Sequence, residues 1–252
     1  MNEPPASLIK VRDLTIGYGE RIVLENVNFE VRRGEVFAIL GASGSGKSTL
    51  LKHMIGLLPP IRGEVLISGA NIADAEGADK TRILRKFGVL YQGGALFGSL
   101  TAVENVRLPL DEFTELSDVA KDLIALSKLR LVGLESAATR LPADLSGGMQ
   151  KRAAIARALA LDPCILFLDE PSAGLDPITS AGLDALIRGL AGGLGITFVV
   201  VTHELPSIFA IADRTIVLDP TTRSIAAEGA PAYLREHAPQ QWVRQFLNRE
   251  AA

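Results

Sequence analysis

Val27, Phe29 and Val31 are separated by Asn28 and Glu30, an apolar–polar alternation with the period of a half-buried strand. The early part of the chain therefore reads as antiparallel β-structure. Glu35 to Leu40 breaks that rhythm: Val36-Phe37-Ala38-Ile39-Leu40 is continuously apolar, as expected for a central strand covered on both faces. A glycine-rich turn follows, and the pattern then predicts a helix from about Lys47 to Leu58, stopped by Pro59-Pro60. Val65 to Gly69 reads as a strand and turn, and Phe87 to Tyr91 as another strand.

From Gln92 to about Gly148 the texture turns helical. Thr101 with Glu104 fits a capping box, and Ser117-Asp118 opens a helix with Val119, Leu123 and Leu126 on one face. Beyond this stretch the pattern predicts a helix over Met149–Leu161, ended by Asp162-Pro163, and a strand running into Leu168. A helix near Thr179–Leu190, an apolar strand over Thr197–Val201 and a last strand near Thr215–Leu218 follow. Strands alternating with helices indicate an α/β fold built on a parallel sheet. The predicted division is a main domain over 1–229, with a helical lobe inserted at about 93–148, and a helical tail over 230–252. In the tail, Trp242, Val243, Phe246 and Leu247 fall on one apolar face of a short helix.

Composition sets limits on this picture. Hydrophobic residues make up 48% of the 252 positions, enough for a sizeable core. No run approaches the ~18 consecutive apolar residues needed to span a bilayer. The N-terminus (Met1-Asn2-Glu3-Pro4-Pro5) shows no basic stretch followed by an apolar one, so no secretory signal is expected and the chain reads as cytosolic. The single cysteine, Cys164, has no internal partner for a disulfide and is expected as a small buried hydrophobe. A net charge of -3 gives no electrostatic case for a nucleic-acid partner.

The chemistry concentrates in three motifs. Gly41-Ala42-Ser43-Gly44-Ser45-Gly46-Lys47-Ser48-Thr49 matches the P-loop pattern G-x-x-x-x-G-K-[ST], with an apolar strand before it and a helix after it. Its glycines let successive backbone N–H groups turn toward phosphate oxygens, Lys47 can reach the outer phosphates, and the Ser48 hydroxyl can ligate Mg²⁺. Leu166-Phe167-Leu168-Asp169-Glu170 places Asp169 at the carboxyl edge of a buried strand, where open α/β sheets bind ligands. Asp169 can hold Mg²⁺ through water, and Glu170 is left to act as general base on an attacking water. Ser146-Gly147-Gly148, within Leu145-Ser146-Gly147-Gly148-Met149-Gln150, puts two glycines and a hydroxyl at a helix start, a second surface suited to phosphate.

With that third motif the sequence resembles the ABC transporter ATPases, whose signature is LSGGQ; Met149 stands where the usual glutamine would be. The resemblance runs from about Leu8 to Asp219 with every motif in order. It implies a P-loop NTPase (RecA-like) core with an antiparallel β subdomain and an inserted α-helical subdomain, binding ATP and Mg²⁺. It further implies that Tyr18 stacks on adenine and that Gln92 is the Q-loop glutamine, contacting Mg²⁺ and the water. Ser172-Ala173-Gly174-Leu175-Asp176 matches the D-loop, and His203 the switch histidine that contacts the γ-phosphate. Ser146, Gly147 and Gly148 then complete the site of a second copy, two chains enclosing two ATPs. His53 and His237 match no motif.

Gln92-Gly93-Gly94-Ala95-Leu96-Phe97, Asp176-Pro177-Ile178-Thr179 and Trp242 to Leu247 resemble, more narrowly, the ATPases of MCE-type lipid transport systems. That resemblance implies an integral membrane permease, a periplasmic lipid-binding partner and a peripheral position on the cytoplasmic face of the inner membrane. It also implies that the tail docks on the opposite ATPase subunit, the alternative being that it folds back onto its own core. Two other readings stand beside it. One is a soluble ABC ATPase of iron–sulfur cluster assembly. The other is a DNA-repair or translation ABC protein, but the long coiled coil, zinc-binding cysteines or second ATPase core expected of those is not in the sequence.

Overall fold

Two sheets organise residues 7–250, the part of the chain described by the computed structural model. In chain order the strands are β1 (Ser7–Tyr18), β2 (Arg21–Arg32), β3 (Val36–Gly41), β4 (Arg62–Ile67), β5 (Ala70–Asn71), β6 (Phe87–Leu90), β7 (Ile165–Asp169), β8 (Thr197–Val201), β9 (Arg214–Asp219) and β10 (Ser224–Gly229). The helices are α1 (Lys47–Met54), α2 (Gly77–Leu84), α3 (Ala102–Phe113), α4 (Asp118–Leu131), α5 (Gly147–Ala158), α6 (Pro177–Leu194), α7 (Leu205–Ile211), α8 (Pro231–His237) and α9 (Gln241–Asn248). One sheet is antiparallel, in the order β2-β1-β4-β5; the other runs β10-β9-β3-β8-β7-β6 and is parallel except for β10.

The six-stranded sheet explains why its central strands are apolar throughout. All of β3, β7 and β8 is buried. Successive side chains point to opposite faces. Phe37, Ile39, Phe167, Val199 and Val201 pack with α1 and the antiparallel sheet, whereas Val36, Leu166, Leu168, Phe198 and Val200 pack with α3, α4, α5 and α6. In β2 the predicted alternation holds, with Val27, Phe29 and Val31 buried and Asn28 and Glu30 exposed.

Several predicted features shift. The helix after the glycine turn ends at Met54, short of Leu58, because Gly56 takes φ +71°. Its N–H donates to the His53 carbonyl at 3.1 Å and that of Leu57 to the Lys52 carbonyl at 2.9 Å, a Schellman stop that acts before the prolines. The helix expected over Met149–Leu161 begins two residues earlier, at Gly147, and the one expected near Thr179–Leu190 runs from Pro177 to Leu194. The strand over Arg214–Asp219 is not the last, since β10 pairs with it. Cys164 is half-buried, its Sγ 3.4 Å from the Lys86 carbonyl oxygen, and not the fully enclosed residue expected.

Two apolar faces also behave differently from expectation. On α4, Val119 and Leu123 are exposed, and the helix instead turns Ala125, Lys128 and Leu129 inward. In the tail, α9 lies on the chain's own core. Val243 and Leu247 are buried against Ala38, Leu40, Leu205, Ile208 and Val217, with Trp242 and Phe246 half-buried beside them. Val243 and Leu247 are therefore taken up by the chain's own core, while the half-buried Trp242 and Phe246 are the part of the face left for the expected docking on another subunit.

Candidate active site

The carboxyl ends of the parallel strands converge on one cavity. The turn Gly41–Gly46 leaves β3, Gln92 follows β6, Glu170 follows β7 and His203 follows β8, and all of them line a cavity of about 1190 Å³. Tyr18, Lys47, Ser48 and Thr49 line it too. β8 lies between β3 and β7, so Asp169 is not next to β3 in the sheet; it meets the glycine turn through Ser48 Oγ, which donates to Asp169 Oδ1 at 3.1 Å.

The turn depends on backbone conformation at Gly46, which takes φ +96° directly before α1. A Cβ there would also lie 2.8 Å from Val23 Cγ1. Lys47 is buried and donates from Nζ to the carbonyls of Gly41 (2.9 Å) and Ala42 (3.0 Å). Burial pushes its pKa down, and the neighbouring Glu170 and Asp169 carboxylates oppose the shift. Burial likewise pushes the Asp169 carboxyl up, partly offset by the Ser48 hydrogen bond.

Glu170 is the most constrained residue of the site. It takes φ +48°, a left-handed conformation that is costly for a residue with a Cβ. Its N–H donates to the Val201 carbonyl at 2.8 Å, Oε2 accepts from Thr202 Oγ1 at 3.0 Å, and Oε1 accepts from His203 Nδ1 at 2.8 Å. The carboxylate is buried while the His203 ring is largely exposed at the cavity. Tyr18 sits across the cavity, its hydroxyl 3.4 Å from Thr49 Oγ1.

A divalent cation fits this donor set. The Ser48 hydroxyl and the Asp169 carboxylate converge, with Gln92 on the same cavity wall. Among the described residues there is no cluster of three or more His, Cys, Asp and Glu. Mg²⁺ needs none, since it keeps several waters and binds through one or two protein oxygens plus substrate phosphates.

Ser146, Gly147 and Gly148 are not part of this cavity lining. Ser146 caps α5, its Oγ accepting from the Met149 N–H at 3.3 Å. Gly148 is packed so closely against α6 that a Cβ would lie 2.3 Å from Thr179 Cγ2. The motif therefore lies apart from the cavity, with Ser146 and Gly147 exposed and Gly147 beside Leu175 of the loop Ser172–Asp176. Elsewhere, His53 is buried with Nδ1 2.8 Å from the Thr49 carbonyl oxygen, and His237 is exposed and stacked on Tyr233.

The sequence reading missed some of the cavity wall. Arg21, Pro220, Arg223 and Phe246 line it as well. Phe246 had been assigned only to an apolar tail face, and no spacing rule connects it to a glycine turn two hundred residues earlier. Lys151 carries no motif signal in the sequence either, yet it is buried, and its Nζ donates to the Gln92 carbonyl and reaches the Glu170 carbonyl at 3.5 Å.

A glycine turn between strand and helix, a carboxylate at a nearby strand end and a constrained glutamate in one cavity define a P-loop nucleoside triphosphatase. The model of the ABC transporter family matches residues 24–173. The intermembrane phospholipid transport system ATP-binding protein MlaF of Escherichia coli K12 is 40% identical over 98% of this chain and 91% of its own length. A probable ribonucleotide transport ATP-binding protein of Mycobacterium leprae is 39% identical over 97% of this chain and 70% of its own length. Among solved structures, a dimeric ATP-binding cassette in a post-hydrolysis state with ADP and Pi superposes with a TM-score of 0.78 at 36% identity, covering 88% of this chain and 98% of that one. The protein cbiO1 from Clostridium perfringens gives a TM-score of 0.83 at 28% identity, over 98% of this chain and 96% of that one. The chain belongs to the ABC transporter family, as its ATP-binding and ATP-hydrolysing subunit.

Proposed function

We propose that this ATPase drives phospholipid transport between membranes, working as a pair of copies beneath an integral permease that is served by a periplasmic lipid-binding partner. The observation that carries the reading is the near full-length match to the phospholipid transport relative, 98% of this chain against 91% of that one. The relative named for ribonucleotide transport matches 97% of this chain at 39% identity and has additional length of its own, so the reading is chosen on the relative whose length this chain nearly fills. Among the described residues no helix is long and apolar enough to cross a membrane, so membrane attachment would come through the permease, at the cytoplasmic face of the inner membrane.

Each residue's part follows from its place. Tyr18 stacks on the adenine, and the N–H groups of Gly41 to Gly46 and of Lys47, Ser48 and Thr49 surround the phosphates. Lys47 leaves the carbonyls of Gly41 and Ala42 for the outer phosphates. Ser48, Asp169 and Gln92 would hold Mg²⁺, which neutralises charge on the phosphate oxygens when bound. Glu170 takes a proton from the attacking water, a contribution of typically 10²–10⁴-fold for a positioned base. His203 holds one carboxylate oxygen of Glu170 through Nδ1 and faces the cavity, where it stabilises the charge that spreads over the transferred phosphoryl. Ser146, Gly147 and Gly148 complete the site of the second copy.

Purification of the chain with its native membrane partners tests the transport reading. The expected result is a permease, a lipid-binding protein and retained phospholipid, with ATPase activity in the assembly. Retained ribonucleotide, or recovery with soluble cluster-assembly proteins alone, would replace it.

A further inference from the structure

We propose that Lys151 is a positioning residue of the hydrolysis site, setting the backbone of Glu170 and of Gln92 from the helix that carries Ser146-Gly147-Gly148. The inference rests on Glu170 being the general base.

Lys151 is buried, and an ammonium has three N–H donors and no acceptor. Those donors face two carbonyls, of Gln92 and of Glu170. Both belong to loops at the carboxyl edge of the sheet, after β6 and after β7. The Glu170 carbonyl belongs to a residue at φ +48°, a conformation that persists only when its surroundings hold it. The N–H is held by Val201 and the carboxylate by Thr202 and His203. The carbonyl accepts from the Ala173 N–H at 3.2 Å, and Lys151 Nζ approaches it as a second donor at 3.5 Å while taking the Gln92 carbonyl directly.

The Gln92 side is gripped at two points. Six residues further along α5, Arg157 donates to the carbonyls of Gly94 (2.9 Å) and Ala95 (2.7 Å), both in left-handed conformation at φ +74° and +48°. Thus α5 carries the phosphate-facing Ser146-Gly147-Gly148 in its first turn, the Lys151 contacts in its next and the Arg157 contacts beyond. A rigid helix so attached moves Gln92 and Glu170 together with the surface offered to the second copy. Hydrolysis-competent geometry in one site would then be tied to the docking of α5 at the other.

The test uses the complex assembled with the permease. Lys151→Met keeps the stem and removes every donor. Loss of a hydrogen bond from a charged donor is worth ~1.5–3 kcal/mol, so kcat should fall about 10- to 100-fold. The KM for ATP should change far less than kcat, since Ser48 and Asp169 still hold Mg²⁺ when Gln92 shifts, and the affinity for ADP without Mg²⁺ should hardly move. Lys151→Arg, whose fork can still donate to both carbonyls, should recover part of the lost kcat. If Lys151→Met does not fold, Lys151→Gln, too short to reach both carbonyls, should show the same kcat-only loss. Wild-type kcat in these variants overturns the proposal. So does a loss of kcat matched by an equal loss of ADP affinity, which marks general destabilisation. Glu170→Gln, run in parallel, separates the two readings: if it too turns over ATP at the wild-type rate, the assignment of the base itself fails.

Discussion

A left-handed glutamate and a buried aspartate show how local cost is distributed in this chain. The strain at Glu170 sits where the carboxylate must be aimed, and hydrogen bonds from Thr202 and His203 hold it. Asp184 of α6 lies outside the cavity lining, and burial raises its carboxyl above the ordinary range, a hydrogen bond from Ser207 opposing the shift. Its folded form therefore keeps the proton to higher pH than its unfolded form. The stability this gives is complete below the unfolded pKa, about 3.9, and is lost as pH rises through the folded value. Asp184→Asn should accordingly raise the melting temperature near neutral pH, with the gain vanishing as pH falls toward about 4. A gap between variant and wild type that does not change with pH would contradict this assignment. Roles such as those expected of Glu170 and His203 could be read from motif order in the sequence, whereas the contacts of Thr202 and Lys151 could not. Those contacts exist only once β7, β8 and α5 have been brought side by side.

Helices and strands were legible in proportion to how completely the core decides them. β3 and β8, buried on both faces, appear in the sequence as unbroken apolar runs. The short helices α2 and α7 and the edge strand β10 do not, because a half-exposed element of six to eight residues carries too few apolar positions to show a period. The inward face of α4 was misread for a related reason: apolar residues occur around most of that helix. Ala125 permits close approach, and Lys128 spans to Asp162 at 2.5 Å, fixing the other face inward. For the tail, the apolar face is legible in the sequence, and of its two possible partners the chain's own core takes Val243 and Leu247. Removing everything after Pro239 exposes Ala38, Leu40 and Val217 and deletes two fully buried aliphatic side chains. At ~1.5–3 kcal/mol for each buried aliphatic, the loss is ~3–6 kcal/mol. The isolated subunit's melting temperature should therefore drop by about 10 °C, at 2–4 °C per kcal/mol for a chain of this size. An unchanged melting temperature would place the tail on some other surface.

At the scale of the whole molecule, the groups proposed to meet phosphate lie on two separate surfaces. The glycine turn, Glu170 and His203 line one cavity, with Asp169 joined to it through Ser48, and Ser146-Gly147-Gly148 sits at the start of α5 beside α6, outside its lining. On the proposed roles, a single chain offers a nucleotide cavity and, apart from it, a second surface suited to phosphate. Two copies arranged head to tail would satisfy both, each closing the other's site. The direct measurement is nucleotide occlusion in complexes containing two differently altered copies, in a Glu170→Gln background that prevents turnover. With Lys47→Ala in one copy and Ser146→Arg in the other, both lesions fall on one shared site, and the account predicts that the remaining site still traps ATP. With both changes in one copy opposite an otherwise unaltered partner, each site carries a lesion, and no trapped ATP is predicted. Equal trapping in the two arrangements would contradict a site shared between chains.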